Sequence, residues 1–225
     1  MYSGYRCALP GLPGMVAEGY KFAAGPIVAA VAAVACAMYF GASSWLDGLA
    51  AVLVLLGLFV LYFFRDPDRD IPQDPDAVVS PADGRVMVVT PEQLDGRPGQ
   101  RVSIFLSIFD VHVNRAPVSG TISALDYRRG SFHGALFERA STENEQNVIR
   151  MKTSRGELVF KQIAGLIARR ILFWKERGDA VQIGDRVGMI RFGSRVDVWL
   201  PEEARITVRP GDTVRGGSSI LARWQ

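Results

Sequence analysis

The sequence predicts an α+β protein that is mostly β, in which two apolar helices precede a compact, sandwich-like β domain. The first observation is a long apolar region: between Phe22 and Phe64 the only charged residue is Asp47. The second is a series of short alternating or β-branched runs after Pro75, bounded by Gly, Pro or Asp, as in strands joined by tight turns. At 225 residues the chain is long enough for one domain and an appendage.

The apolar region divides into two runs, Phe22 to Phe40 and Leu49 to Phe64. A membrane-spanning helix needs about 20 predominantly apolar residues. The first run is therefore long enough, and the second becomes so when Trp45 to Gly48 is included. We predict that residues 1–64 form an N-terminal tail and a membrane hairpin, either spanning or re-entrant. A secretory signal peptide and a buried helical hairpin of a soluble protein are the alternatives.

The basic residues around the hairpin predict its orientation. The connector between the two apolar runs has no Lys or Arg, whereas basic residues flank the other ends at Arg6, Lys21, Arg65 and Arg69. The positive-inside rule therefore places both ends and the following domain on the cytoplasmic side of the cell inner membrane.

Charge and cysteine content restrict the function classes. The net charge of +3 is too small to indicate a nucleic-acid partner, and it fits a domain held against an anionic surface. Cys7 lies in the tail and Cys36 in the apolar run, so the cysteines do not form a disulfide framework and favour a reducing compartment.

Residues 65–75 contain three prolines and four aspartates, which end the helix and form a stiff, solvated connection. We place the domain boundary at its start, so that residues 65–225 form the β-rich domain. The predicted strands are Gly84 to Val89, Val102 to Ile108, Gly120 to Leu125, Asn147 to Thr153, Glu157 to Ile163, Arg186 to Phe192, Arg195 to Leu200 and Arg205 to Val208.

Two segments interrupt the strands. We predict one turn of helix from Gly134 to Ala140, followed by a polar loop over 141–145, and either a helix or a strand from Gly165 to Phe173. The Gly-Asp turn units that begin at Gly178 and Pro210 resemble those of lipoyl or biotinyl carrier domains.

Gly193-Ser194 is a dipeptide between two predicted strands, at a place where the chain can react with its own backbone. If the Ser194 hydroxyl adds to the Gly193 carbonyl, the peptide becomes an ester, and elimination then leaves a ketone-bearing pyruvoyl group. His112 offers an imidazole to take the hydroxyl proton, and Asp83 a carboxylate to fix its tautomer. Taken singly, an aspartate such as Asp83 is more often part of an Asp-Gly turn, and a histidine such as His112 is more often a structural core residue than a base.

Five ordered blocks resemble phosphatidylserine decarboxylases, most closely the short bacterial form with an N-terminal membrane segment. They are Phe-Arg-Asp-Pro-Asp-Arg at 64–69, Ser-Pro-Ala-Asp-Gly at 80–84, Asp-Val-His-Val-Asn-Arg-Ala-Pro at 110–117, Asn-Glu-Gln-Asn at 144–147 and Phe-Gly-Ser-Arg-Val-Asp-Val-Trp-Leu-Pro at 192–201. The resemblance implies a proenzyme that cleaves itself between Gly193 and Ser194, carries the pyruvoyl on Ser194 and uses Asp83 and His112 as charge-relay partners.

The resemblance also implies the products and partners. Cleavage would give a beta chain (1–193) and an alpha chain (194–225) that form a heterodimer, with higher oligomers left open. The pyruvoyl, with no metal and no pyridoxal phosphate, would form a Schiff base with phosphatidylserine and release carbon dioxide, giving phosphatidylethanolamine. His112 is also the candidate for protonating the carbanion. An ether lipid such as archaetidylserine is the alternative substrate.

One departure from the family pattern limits the carry-over. Longer enzymes have a second histidine where this chain has Arg115, so no role of that histidine is transferred. His133 lacks a paired His, Cys or carboxylate spacing, so a metal site is unsupported. Gly217-Ser218 is a competing cleavage point, but a tail from Ser218 has too little apolar area to stay docked.

Several side chains are candidates for contacting a lipid. Phe105, Ile108 and Phe109 would form an apolar lip, or else belong to a core strand. The candidates for the lipid phosphate, which otherwise are solvated surface residues, are Arg115, Arg128, Arg129 and Arg195. Two other function classes stay open from the residues alone: a membrane-tethered serine hydrolase using Ser194, His112 and Asp83, and a non-catalytic carrier-type domain.

Overall fold

The computed structural model describes residues 14–40, 44–166, 170–191 and 193–225, without the side chains of Glu18, Phe40 and Ser44. The predicted tail with Cys7 and the connector at 41–43 therefore lie outside the described residues. The chain divides into two compact units between Asp68 and Arg69.

The first unit contains helices α1 (Ala17–Phe40) and α2 (Ser44–Phe63) and a short strand pair, β1 (Gly14–Met15) with β2 (Arg65–Asp66). The helices run antiparallel, because a Cβ on Gly19 would meet Phe64 and a Cβ on Gly57 would meet Ile27. Both helices are long and apolar enough to cross a membrane, and only 17% of each apolar window is buried. That exposure is opposite to what a core helix of a soluble protein shows.

The second unit contains the remaining strands and one short helix, α3 (Ala140–Glu143). In chain order the strands are β3 (Ala77–Val79), β4 (Gly84–Pro91), β5 (Gly99–Leu106), β6 (Val113–Arg115), β7 (Gly120–Arg128), β8 (Gln146–Thr153), β9 (Gly156–Ala164), β10 (Ile171–Phe173), β11 (Ala180–Val181), β12 (Arg186–Ile190), β13 (Ser194–Pro201), β14 (Ala204–Ile206), β15 (Thr213–Val214) and β16 (Ile220–Trp224).

These strands form three antiparallel sheets. The eight-stranded sheet has the order β11-β7-β8-β9-β13-β5-β4-β15, and two three-stranded sheets have the orders β10-β12-β6 and β14-β16-β3. One buried apolar cluster fills the space enclosed by the sheets and includes Ile104, Phe160, Val196 and Leu221. The predicted mostly β fold, preceded by two apolar helices, is confirmed.

One end of the large sheet positions the site. There β5 ends with Leu106, β9 ends with Ala164 and β13 begins with Ser194, and Ser194 pairs with both of the other residues. We call this edge the Ser194 end. The segments that follow β5 and β9, and the loop that precedes β13, therefore lie at one edge of the sheet.

The eight predicted strands are all present, although several begin or end a few residues away from the predicted limits. The Gly-Asp turns are also present: Asp179, Asp185 and Asp212 each accept a 2.8 Å hydrogen bond from the backbone amide three residues earlier. Repeated turn chemistry in the sequence therefore indicates repeated turn geometry.

The helix predicted over Gly134 to Ala140 is wrong. Turns occupy that segment, and the helix α3 begins only at Ala140 and takes in part of the predicted polar loop. The physical reason is burial, since Leu136 and Phe137 are exposed whereas Ala140 and Ser141 pack inside. In the segment from Gly165 to Phe173, only Ile171–Phe173 forms a strand, and 167–169 lie outside the described residues.

Candidate active site

Ser194 is the first residue of β13, a strand that is hydrogen-bonded on both sides, to β5 and to β9. Its side chain is fully buried, and among the described residues its Oγ has no hydrogen-bond partner. A buried hydroxyl without a partner is destabilising by about 1–3 kcal/mol, so its presence in a fold needs a reason.

Gly193 has the backbone conformation that only glycine adopts without strain, with φ at +54°. Its carbonyl group lies against the backbone of Gly165: a Cβ on Gly165 would stand 2.1 Å from the Gly193 oxygen and 3.4 Å from the Ala135 Cβ. The carbonyl that Ser194 would attack is therefore held in a space that exists because residue 165 has no side chain.

His112 is fully buried directly before β6. Its Nδ1 lies 2.9 Å from the backbone carbonyl oxygen of Asp110. Because a carbonyl can only accept, Nδ1 carries the hydrogen, and Nε2 is the basic nitrogen in the neutral ring. The backbone carbonyl of His112 accepts a hydrogen bond from the backbone amide of Ile190 at 3.4 Å. Ile190 lies four residues before Ser194.

Asp83 lies in the segment before β4, at the Ser194 end. β5 lies between β4 and β13. Two strand spacings, roughly 10 Å, therefore separate the backbone of Asp83 from the backbone of Ser194. Its carboxylate accepts from Arg69, with the closest oxygen 2.9 Å from Nη2, and from the Gly216 amide at 2.8 Å.

The structure thus corrects the expected source of the histidine's orientation. The Asp110 carbonyl holds Nδ1 of His112, whereas the Asp83 carboxylate binds Arg69 and Gly216. The segment of Asp83 lies at the end of the large sheet where β13 begins with Ser194, and the His112 carbonyl is bound to Ile190, four residues before Ser194. The catalytic roles of Asp83, His112 and Ser194 stay predictions.

A buried amide network escaped the sequence analysis. Gln162 donates to the Asn114 side-chain oxygen at 2.9 Å and accepts from Asn147 at 3.1 Å. Gln162 pairs with Val196, two residues along β13 from Ser194 and on the same face of the sheet. The signal was present, because a polar residue interrupts the buried positions Leu158, Phe160 and Ala164 of one strand face.

Arg195 is fully buried, so neither the expected lipid-phosphate contact nor the solvated surface position is correct for it. Its Nε donates to Asp197 at 2.6 Å and its Nη2 to the Ser103 hydroxyl at 2.8 Å, on the sheet face opposite Ser194. Asp197 also binds Arg101 at 3.4 Å and the hydroxyl of Ser141 in α3.

Arg101 stays charged in this network. Burial alone would lower its pKa, but the charge of Asp197 and the hydrogen bond and charge of Glu138, together with the charge of Glu92, raise the pKa above its ordinary value. The cluster is therefore a charged one that ties β5, β13 and α3 together.

The other candidates for contacting a lipid lie in different environments. Arg115 is buried and donates to the Gly184 carbonyl at 3.0 Å, whereas Arg128 and Arg129 are exposed, with Arg128 paired to Asp126 at 2.7 Å. Of the predicted lip, Phe105 and Ile108 are half-buried and Phe109 is 61% exposed.

The sequence analysis argued against a metal site at His133 and against cleavage at Ser218. His133 Nε2 lies 3.0 Å from a Glu143 carboxylate oxygen, a contact that the sequence spacing did not reveal. Within the described residues no group of three His, Cys, Asp or Glu side chains could hold a metal ion. Ser218 lies in the turn before β16, and its amide donates to the Arg215 carbonyl at 3.1 Å.

Comparisons with known proteins give a consistent result. The sequence profile of the family described as phosphatidylserine decarboxylase matches residues 56–222. A protein of Solibacter usitatus (strain Ellin6076) named phosphatidylserine decarboxylase proenzyme is 55% identical over 182 residues, which cover 80% of this chain and 87% of that protein. A protein of the same name from Desulfotalea psychrophila (strain LSv54 / DSM 12343) is 44% identical over 186 residues, covering 81% and 87%.

Proposed function

The chain belongs to the phosphatidylserine decarboxylase family, and we propose that it is a proenzyme that cleaves itself between Gly193 and Ser194 and then decarboxylates phosphatidylserine to phosphatidylethanolamine. The observation that carries the proposal is the Ser194 hydroxyl. It is buried, has no hydrogen-bond partner among the described residues, and directly follows a glycine with φ at +54°.

The first step converts the peptide bond to an ester. Nε2 of His112 takes the proton of Ser194 Oγ, and the oxygen adds to the Gly193 carbonyl carbon. The bond from that carbon to the Ser194 nitrogen then breaks, and the nitrogen receives the proton. The hydroxyls of Ser103 and Ser141 in the buried network beside β13 do not compete, because each is already hydrogen-bonded.

The second step breaks the ester by elimination. Ser194 loses its Cα proton, the Cβ–Oγ bond breaks, and Oγ departs as part of the Gly193 carboxylate. The remaining dehydroalanine becomes an imine, which takes up one water and releases ammonia. The electrons and atoms balance without an oxidant, and residue 194 is left as a pyruvoyl group.

The residues around position 194 fit a group made there. The alpha chain 194–225 keeps β13 paired along its whole length with β5 and over Ser194–Trp199 with β9, which fixes the new chain end. Once formed, the pyruvoyl supplies an electrophilic carbonyl conjugated to an amide, an electron sink for loss of carbon dioxide from a primary amine. We assign His112 the return of a proton to the substrate.

The proposal includes an assembly and a location. In this proposal the beta chain 1–193 and the alpha chain 194–225 form a heterodimer at the inner membrane, and the two apolar helices support membrane association. The basic residues near both ends of the hairpin support a cytoplasmic position for the β-rich unit.

Intact mass spectrometry of the purified protein tests the proposal. We expect two chains with the masses of 1–193 and 194–225, the smaller lacking a free amino terminus, and release of carbon dioxide from phosphatidylserine vesicles. The variant Ser194→Ala should stay a single inactive chain, and the matched control Ser218→Ala should be cleaved normally. An active protein that runs as one uncleaved chain would overturn the proposal and favour a hydrolase-type or carrier-type reading.

A further inference from the structure

The exposed apolar side chains of the β-rich unit are concentrated at one edge. Within its described residues, five large apolar side chains are exposed. Four of them are 58–65% exposed, and we call these four the apolar rim: Phe109, Leu136, Phe137 and Leu166. The fifth, Leu125, is 37% exposed and lies in the middle of β7.

The strand register places the apolar rim at the Ser194 end. Phe109 follows the end of β5 at Leu106, and Leu166 follows the end of β9 at Ala164. Both strand ends pair with Ser194, so the two following segments leave the sheet beside it.

The loop that carries Leu136 and Phe137 reaches the same edge. The Ala135 Cβ lies 3.4 Å from the place that a Cβ on Gly165 would occupy, and the Phe137 carbonyl accepts from Arg195 Nη1 at 3.5 Å. Three separate loops therefore present apolar side chains around the segment that contains the Gly193–Ser194 bond.

Basic side chains accompany the apolar rim. Arg128 ends β7 in register with Gln146 and Ile163, so it and exposed Arg129 lie at this edge. The Arg139 guanidinium lies 5.4 Å from the centre of the Phe137 ring. Of the nearby acids, Glu138 is bound to Arg101, Asp126 to Arg128, and Glu143 lies beside His133, while Asp110 and Glu145 accept from Ser107 and Tyr127. Among the described residues, Arg129 and Arg139 have no acidic partner.

We propose that the apolar rim inserts into the surface of an anionic phospholipid bilayer, with Arg129 and Arg139 on the lipid phosphates, so that the scissile site opens directly onto the membrane. Aromatic and aliphatic side chains beside unpaired arginines are the composition of an interfacial anchor. A second copy of the chain is a poorer occupant, because a twofold contact would bring these positive charges together.

The inference rests on the proposed function only where it explains why the rim surrounds the scissile site. The first test therefore does not measure enzyme activity. A fluorophore is attached to the full chain at Leu136→Cys, with Cys7 and Cys36 replaced by serine. The protein is placed in phosphatidylcholine–phosphatidylglycerol vesicles that carry quenchers on the acyl chains. We expect strong quenching at position 136 and weak quenching at the matched control Leu125→Cys. Equal quenching at both positions, or an emission change at 136 that follows protein concentration without vesicles, would overturn the proposal.

Turnover provides the second test. For the double variant Leu136→Ser/Phe137→Ser, we expect the ratio of kcat/KM on vesicles to kcat/KM on a water-soluble short-chain phosphatidylserine to fall about tenfold, because two side chains lose burial in hydrocarbon. Leu125→Ser should keep the wild-type ratio. An unchanged ratio in the double variant would contradict the inference. Absence of decarboxylation in all proteins would instead refute the proposed function and leave the quenching result standing.

Discussion

At the level of single residues, the geometry of the scissile bond depends on a glycine outside the cleavage motif. Gly165 faces the Gly193 carbonyl oxygen so closely that a methyl group there would stand 2.1 Å away. We predict that Gly165→Ala slows self-cleavage by a factor on the order of 100, since misplacing a reacting group by about 1 Å costs this much. The measurement is the half-time of chain cleavage after synthesis, followed by gel electrophoresis.

Gly99→Ala is the matched control for this substitution. A Cβ on Gly99 would stand 2.5 Å from the Leu200 carbonyl oxygen, a similar clash at the opposite end of β13. We expect it to lower thermal stability while leaving the cleavage half-time close to that of the wild type. Equal slowing in both variants would mean that Gly165 matters for folding rather than for the scissile bond.

Asp83 poses a different question, because its carboxylate is bound to Arg69 and Gly216 rather than placed on Nδ1 of His112. We predict that Asp83→Asn slows cleavage by a factor on the order of 10, because a negative charge that would stabilise the His112 imidazolium at a distance is lost. Arg69→Gln should slow it far less, because the Gly216 amide still holds the carboxylate. If both variants are slowed alike, Asp83 is a structural tie. The same cleavage assay decides.

The sequence singled out Asp83, His112 and Ser194 as candidate site residues because each belongs to a recognisable local motif. It did not reach Gly165 or the Gln162 network, since their contacts join strands far apart in the chain. It misplaced Arg195, because an arginine beside a serine gives no local sign that Asp197 and Ser103 will bury it. Long-range pairing of charges is the information that a linear pattern lacks.

At the level of elements, the proposed cleavage requires β13 to stay docked after the bond that precedes it is broken. The buried cluster of Arg195, Asp197 and Arg101 joins β13 to β5 on the sheet face opposite Ser194. We predict that Asp197→Asn lowers the stability of the cleaved protein by about 3–5 kcal/mol, because the fully buried Arg195 loses the carboxylate that lies 2.6 Å from its Nε. Release of chain 194–225 with increasing urea, followed by size-exclusion chromatography, measures this loss.

Asp95→Asn is the control for the buried cluster, since Asp95 is 57% exposed and pairs with Arg150 at 2.6 Å. An exposed pair contributes about 0–1 kcal/mol, so the urea midpoint should move little. Should the two variants release the alpha chain at the same urea concentration, the buried cluster would not be what retains it.

The elements themselves differ in how far sequence reveals them. The eight predicted strands were predictable because alternating residues and Gly or Pro boundaries mark them locally. Strands such as Ala180–Val181 and Thr213–Val214 have only two residues and exist because a neighbouring strand offers hydrogen bonds. The helix at 140–143 was misplaced because burial of Ala140 and Ser141, rather than helix propensity, decides where it forms.

At the level of the whole molecule, the two units differ in how much of their surface is apolar. The helices expose side chains such as Val28, Met38 and Leu55, whereas among the described residues of the β-rich unit the most exposed apolar side chains form the apolar rim at the Ser194 end. A helix pair that exposes apolar side chains is unstable in water and stable in hydrocarbon. The sequence alone indicated this, because the absence of charge over two long runs needs no knowledge of tertiary contacts.

The final prediction concerns how the helix pair meets the membrane. If both helices span it, Trp45, which is 67% exposed at the start of α2, faces the side opposite the β-rich unit. In spheroplasts of cells that make the full chain with Cys7 and Cys36 replaced by serine, a membrane-impermeant thiol reagent should label Trp45→Cys directly. The exposed control Arg155→Cys should be labelled only after lysis, because the positive-inside rule keeps the basic ends and the following unit in the cytoplasm. Labelling of both positions only after lysis would show that the pair enters and leaves on one side, because a spanning pair cannot keep its connector inside the cell.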